Sequence, residues 1–186
     1  MTRFMMQSLD QYLLSRHVVA SALSMSKTFN TNIENKDEWL TPPYISKALG
    51  EFDLDPCQPI DPPFVHARKG YNILDDGLVQ SWEGRVWCNP PYGRETFTWL
   101  KKLADHGNGV TIIFSRTETK GFHAQIWERA DAVFFFKGRL KFYHVDGTEG
   151  GCANAPSCLV AYGQNNVEAI RSAVDAGLLK GKLVVL

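Results

Sequence analysis

Apolar and polar positions change rhythm several times along the chain. Over residues 7–23, Leu9, Leu13, Leu14, Val18 and Leu23 recur near one stripe, the spacing of an amphipathic helix. Residues 24–36 turn polar and rich in Asn, Thr and Ser, which predicts a linker or loop. Thr41 then stands as an N-cap before Pro42, with Ile45, Ala48 and Leu49 continuing a helix to a stop at Gly50. Phe52-Asp53-Leu54-Asp55-Pro56 alternates apolar and acidic residues and ends at proline, the pattern of a strand with one wet face. Val86-Trp87-Cys88 is an apolar run that breaks into Asn89-Pro90-Pro91-Tyr92. Neither proline has an N–H for the ladder, so the chain must leave the sheet there.

After this break, Phe97, Leu100 and Leu103 keep helical spacing within residues 94–106, before Gly107. Residues 110–114 and 132–136 are continuous apolar runs, as in strands covered on both faces. Phe122, Ile126 and Trp127 between them predict a short helix through Arg129. Residues 167–179 predict a surface helix and 183–186 a last strand. Strand, helix, strand, helix, strand is the order of an α/β fold with a mostly parallel sheet flanked by helices. Its ligands gather at the carboxyl ends of strands, where Asp55, Asn89 and Ser115 would sit.

Two regions resist this reading. Residues 58–80 have prolines, Gly70 and Asp75-Asp76-Gly77 but little periodicity, and long irregular connections in compact domains are usually functional or mobile. Gly138-Arg139-Leu140-Lys141-Phe142-Tyr143 alternates Leu140 and Phe142 against Arg139, Lys141 and Tyr143. With residues 157–162 as the returning strand, it predicts a hairpin arm. Its basic, aromatic strip suits DNA phosphates, and equally suits a solvated strand face.

With 186 residues, the expectation is an N-terminal appendage over 1–36 and a single domain over 37–186. A formal net charge of zero argues against a generally basic coat, but the sum conceals an asymmetry. Residues 31–92 hold ten acids against five Lys and Arg, whereas residues 94–141 hold nine Lys and Arg against five acids. The second half suits an anionic polymer, although solvated helix faces would carry the same charges. Cys57, Cys88, Cys152 and Cys158 form no C-x-x-C pair and no zinc spacing, so reduced thiols and no metal are expected. Asp10, Gln11 and Arg16 interrupt any signal-peptide core, and no apolar run approaches a membrane span. The expected location is the cytoplasm, away from any membrane.

At Asn89-Pro90-Pro91-Tyr92 an amide, two rigid carbonyl-bearing residues and an aromatic ring converge where a strand ends. Such a set suits a planar amine-bearing group. Upstream, carboxylates at Asp53 and Asp55 are costly to bury unpaired, so their face must meet solvent, cations or a ligand.

The tetrapeptide resembles the Asn/Asp/Ser-Pro-Pro-aromatic motif of S-adenosylmethionine (AdoMet)-dependent amino methyltransferases. Trp39-Leu40-Thr41-Pro42, Asp53-Leu54-Asp55-Pro56, Asp76-Gly77-Leu78 with Trp82, and Gly138-Arg139-Leu140-Lys141-Phe142 follow in the order seen in phage-type (Dam-like) DNA adenine-N6 methyltransferases. The resemblance covers residues 37–160 and implies a Rossmann-like AdoMet-dependent methyltransferase fold. It implies catalytic roles for Asn89, Pro90, Pro91 and Tyr92, and AdoMet contacts from Trp39, Thr41, Asp53, Asp55, Pro56 and Asp76. DNA is the implied partner, met by Arg94, Arg116, Lys120, Arg139, Lys141 and Tyr143 and, if the chain is phage-encoded, in the host cytoplasm. Asp55-Pro56 matches only the start of the wider Gly-x-Gly cofactor loop. Asn-Pro-Pro-Tyr by itself also fits N4-cytosine DNA and N5-glutamine protein methyltransferases. An inert nucleic-acid-binding module that kept the fold is the alternative of another class.

Overall fold

The computed structural model describes residues 39–186, so the helix expected over 7–23 and the boundary of the appendage lie outside the described residues. Helix α1 (Pro43–Ala48) starts one residue later than its sequence cap, with Pro42 as N-cap and Pro43 in the first turn. Gly50 ends it at φ +87°, in the left-handed region that glycine adopts without steric cost. Strands β1 (Leu54–Asp55) and β2 (Lys69–Gly70) are short. Strand β3 (Val86–Cys88) is fully buried and stops before Asn89-Pro90-Pro91, as the missing N–H groups require.

Helix α2 (Thr96–His106) closes on Gly107 at φ 73°, whose N–H reaches the Leu103 carbonyl. Strand β4 (Gly109–Phe114) follows. The single turn α3 (Lys120–Phe122), capped by the Thr119 hydroxyl, runs into a π-helical turn over His123–Trp127. The remaining elements are β5 (Ala132–Phe136), β6 (Lys141–Tyr143), β7 (Glu149–Cys152), β8 (Ser157–Tyr162), α4 (Gln164–Asp175) and β9 (Gly181–Val185).

Seven strands form one sheet in the order β2-β1-β3-β4-β8-β5-β9. The first four pair in parallel, whereas β8 runs antiparallel to both β4 and β5, and β9 antiparallel to β5. The sheet is therefore mixed: five strands share a direction and two oppose it. One face packs Trp87, Ile112, Phe134 and Leu159 against Ile45 and Leu49 of α1 and Val167 and Ile170 of α4. The other packs Val86, Ile113 and Val160 against Leu100 and Leu103 of α2, Phe122 of α3 and Ile126 of the π-helical turn. This three-layer α/β arrangement is compatible with a Rossmann-like fold.

Residues 157–162 do not return the hairpin. All six are buried in the main sheet between β4 and β5, because the apolar run Cys158-Leu159-Val160-Ala161-Tyr162 requires cover on both faces. The partner of β6 is instead β7, with Lys141 opposite Cys152 and Tyr143 opposite Glu149. Leu140 and Phe142 do turn inward, as their alternation predicts.

Arg85 binds the start of the sheet together. Its N–H donates to Asp53 Oδ2 at 2.8 Å, its Nε to Asn166 Oδ1 at 2.7 Å, and its Nη1 to the Leu49 and Glu51 carbonyls at 2.8 and 3.0 Å. The guanidinium also lies 4.1 Å over the Phe52 ring. One side chain thus fixes the end of α1, the approach to β1 and the start of α4.

Candidate active site

From β1 the chain builds outward to β2, then crosses back to place β3 on the other side of β1. Between β1 and β3 the order of strands reverses, and open α/β sheets hold ligands beyond the carboxyl ends at such a point. A cavity of about 370 Å³ opens there, within the size range of small-molecule sites. Its lining includes Asp55 at the end of β1 with Pro56 and Cys57 after it, Asn89, Pro90 and Tyr92 after β3, and Trp39 and Thr41 ahead of α1. The connection over 58–80 contributes His66, Asp76 and Leu78, which gives this aperiodic stretch a place beside the site.

The Asn89 side chain has one orientation set by chemistry. Its Nδ2 donates 2.6 Å to the Trp39 carbonyl, and since a carbonyl can only accept, the amide oxygen must point away from it. Asn89 Oδ1 is buried and has no partner. A buried acceptor left unpaired costs about 1–3 kcal/mol, which a donor entering the cavity would return. The turn that follows is pinned by Thr96, whose hydroxyl donates to the Pro91 carbonyl at 2.8 Å and accepts from Gly93 N–H at 2.9 Å. Tyr92 stacks on Phe114 with ring centroids 4.3 Å apart. A planar ligand therefore has only its other face available. Burial pushes the Tyr92 phenol well above its ordinary value, with the Cys158 thiol adding to the shift.

Of the six residues expected at the cofactor, five line the cavity: Trp39, Thr41, Asp55, Pro56 and Asp76. Asp55 is almost completely buried and accepts from Cys57 N–H at 3.0 Å. Burial pushes its carboxyl up to about 7, against the smaller opposing effect of that hydrogen bond. Thr41 Oγ1 is buried without a partner. Asp76 adopts φ 54°, and the adjacent Gly77 has no room for a Cβ, which would lie 2.2 Å from the Pro56 carbonyl. Asp53 is the exception. It sits at the amino end of β1, outside the lining, where its carboxylate takes Arg85 N–H and lies 3.6 Å from Arg68. The acidic alternation put both carboxylates on one face, but only the residue at the strand's carboxyl end reaches the cavity.

These groups fit AdoMet. A cation with an ammonium and two ribose hydroxyls meets a buried carboxyl at Asp55 and an unpaired oxygen at Thr41. Among the described residues no cluster of three His, Cys, Asp or Glu could hold a metal ion, and no helix is long and apolar enough to cross a membrane.

The basic candidates follow the same sheet edge. Arg94 comes after β3, Arg116 and Lys120 after β4, and Arg139 after β5, all from strands that point the same way. All four are exposed. Lys141 is held 2.8 Å from Glu149, and Tyr143 bridges Leu40 through both backbone groups at 2.8 Å. The hairpin is thereby tied to the segment that carries Trp39 and Thr41.

Sequence reasoning missed His66 and Lys102. Lys102 of α2 donates to the Gly77, Leu78 and Gln80 carbonyls at 3.3, 2.6 and 2.5 Å, holding the Asp76–Leu78 wall in place. His66 lies in the cavity lining with Phe64 and Trp87 around it. No periodicity marks either residue, because their partners lie 20 or more positions away.

No curated protein and no solved structure matches the chain. A family profile does match, over residues 28–175, spanning the described cavity and both the acidic and the basic sides of its edge. The chain belongs to the DNA N-6-adenine-methyltransferase (Dam) family.

Proposed function

We propose that the protein transfers a methyl group from AdoMet to the exocyclic N6 of an adenine flipped out of DNA, at Asn89-Pro90-Pro91-Tyr92. The observation that carries this reading is the Asn89 amide, turned by the Trp39 carbonyl so that a buried Oδ1 stands unpaired beside the cavity. Adenine N6 is a poor nucleophile because its lone pair is delocalised into the ring. Asn89 Oδ1 accepts one N6 hydrogen and the Pro90 carbonyl the other, which favours a more tetrahedral nitrogen with its lone pair free. Dipoles fixed in advance and shielded from water contribute several kcal/mol to such a step. Asn89 does not act as a base; the extra proton leaves to solvent after transfer.

Tyr92, backed by Phe114, offers its other face to the extracted base and offsets the few kcal/mol needed to unstack it. AdoMet, when bound, supplies an electrophilic methyl group on a sulfonium centre. Asp55, Thr41 and Trp39 hold it from the β1 and α1 side, with Pro56 and Asp76 completing the wall. Arg94, Arg116, Lys120 and Arg139 meet phosphates along the outer edge, and Lys141 and Tyr143 do so only at the rim of the hairpin.

Purified protein incubated with DNA and AdoMet, followed by digestion to nucleosides and mass spectrometry, tests the reading. N6-methyladenine is the expected product. N4-methylcytosine, or methylation of glutamine in protein with unmodified DNA, would assign the same amide chemistry to another amine. DNA binding with no methylated product at all would leave an inert binding module.

A further inference from the structure

The Nε2 atom of His66 is buried and unpartnered, and the residue lines the cavity. Its other nitrogen, Nδ1, is 2.7 Å from Ser46 Oγ, and that hydroxyl donates its only hydrogen to the Pro43 carbonyl at 3.3 Å. Where the Ser46 hydrogen stays on the Pro43 carbonyl, Nδ1 carries the imidazole proton and donates it to Ser46 Oγ. In a neutral ring, the remaining nitrogen is then an acceptor. Burial keeps the ring neutral, pushing its pKa down to about 4. The Phe64 and Trp87 rings, with centroids 5.5 and 5.6 Å from the imidazole, restrict its tilt.

We infer that the Ser46 hydrogen stays on Pro43 and that His66 Nε2 therefore accepts a hydrogen bond from the ammonium or the nucleoside half of the methyl donor, with Ser46 as its positioning residue. The inference rests on the cavity being the AdoMet site. A flipped adenine does not satisfy His66, because its only exocyclic donor is the N6 amine, whose two hydrogens go to Asn89 and Pro90. AdoMet brings three ammonium hydrogens, two hydroxyls and its own adenine amine, donors spread along the molecule that Asp55 and Thr41 cannot all meet from two positions. His66 supplies this acceptor without charge.

Calorimetric titration of S-adenosylhomocysteine into the full-length protein and its variants tests the role, with thermal melting to confirm folding. His66→Phe, which keeps an aromatic ring but has no acceptor, is expected to weaken binding at least tenfold. His66→Gln, whose amide oxygen reaches a similar position, should stay within threefold of wild type. Ser46→Ala should fall between, because the ring loses its anchor. Methylthioadenosine has the hydroxyls and lacks the ammonium. If His66→Phe weakens it equally, the bond goes to the nucleoside half; if its affinity is unchanged while that of S-adenosylhomocysteine falls, the bond goes to the ammonium. If His66→Phe does not fold, His66→Leu replaces it. Unchanged S-adenosylhomocysteine affinity in a folded acceptor-free variant would overturn the inference, as would equal losses in the Phe and Gln variants. Wild-type protein that fails to bind S-adenosylhomocysteine would instead overturn the cofactor reading of the cavity, and this inference with it.

Discussion

Asn89 and Tyr92 show how neighbours assign a role to an ordinary side chain. The Trp39 carbonyl leaves Asn89 only its oxygen to offer, and Phe114 leaves Tyr92 only one ring face. The Tyr92 hydroxyl is buried and unpartnered, so the ring, not the oxygen, matters. Tyr92→Phe is accordingly expected to keep methyl transfer within threefold and to leave the melting temperature unchanged or slightly raised, since an unpaired buried hydroxyl costs about 1–3 kcal/mol. Tyr92→Ala should lose at least tenfold in rate. Asp55 gives a pH signature. Its folded pKa, about 7, lies above the ordinary 3.8, so the folded state binds the extra proton between those values. The stability this proton provides is present below about 3.8 and lost as pH rises to about 7. Asp55→Asn should therefore gain on wild type, by on the order of 2–4 kcal/mol, between pH 4 and pH 7.5. Melting curves of both proteins across that range check it, and His66, present in both, cancels from the difference.

At the scale of elements, the cavity wall depends on a helix that does not touch the chemistry. Lys102 reaches from α2 to three carbonyls of the loop over 77–80 and lies 5.1 Å over the Trp82 ring. Lys102→Met keeps the stem and removes the donors. It is expected to lower stability by about 1–3 kcal/mol and weaken AdoMet binding several-fold, with no change in the base that is methylated. Elements with strong local punctuation were legible in the sequence: β3 ends at its prolines, α2 at Gly107, and β5 spans the apolar run 132–136. The partner of the hairpin was not, because an apolar run such as 157–162 states that it is buried without stating between which strands. His66, Ser46 and Lys102 were illegible for a related reason. Their roles come from contacts across the fold, which neither the helical period around Ser46 and Lys102 nor the aperiodic stretch around His66 encodes.

Over the whole molecule, charge is sorted along one sheet edge. Asp55 and Asp76 line the cavity on the β1 and β2 side, and exposed Arg94, Arg116, Lys120 and Arg139 follow β3, β4 and β5. The balance of the two halves was visible in the sequence; their meeting at one edge required the strand order. Each basic residue that neutralises a phosphate adds about 0.9 to the slope of log affinity against log salt. Arg116→Ala combined with Lys120→Ala should therefore reduce that slope by about 2 in DNA binding measured over a salt series, while S-adenosylhomocysteine affinity is unchanged. The central claim is that Asn89 Oδ1 orients an adenine amine for methylation. Its most direct test is to quantify N6-methyladenine in DNA treated with AdoMet and either wild type or Asn89→Ala, both folded and both binding S-adenosylhomocysteine. The account predicts N6-methyladenine from wild type and at least tenfold less from the variant. Equal yields from the two proteins, or a different methylated base from wild type, would contradict it.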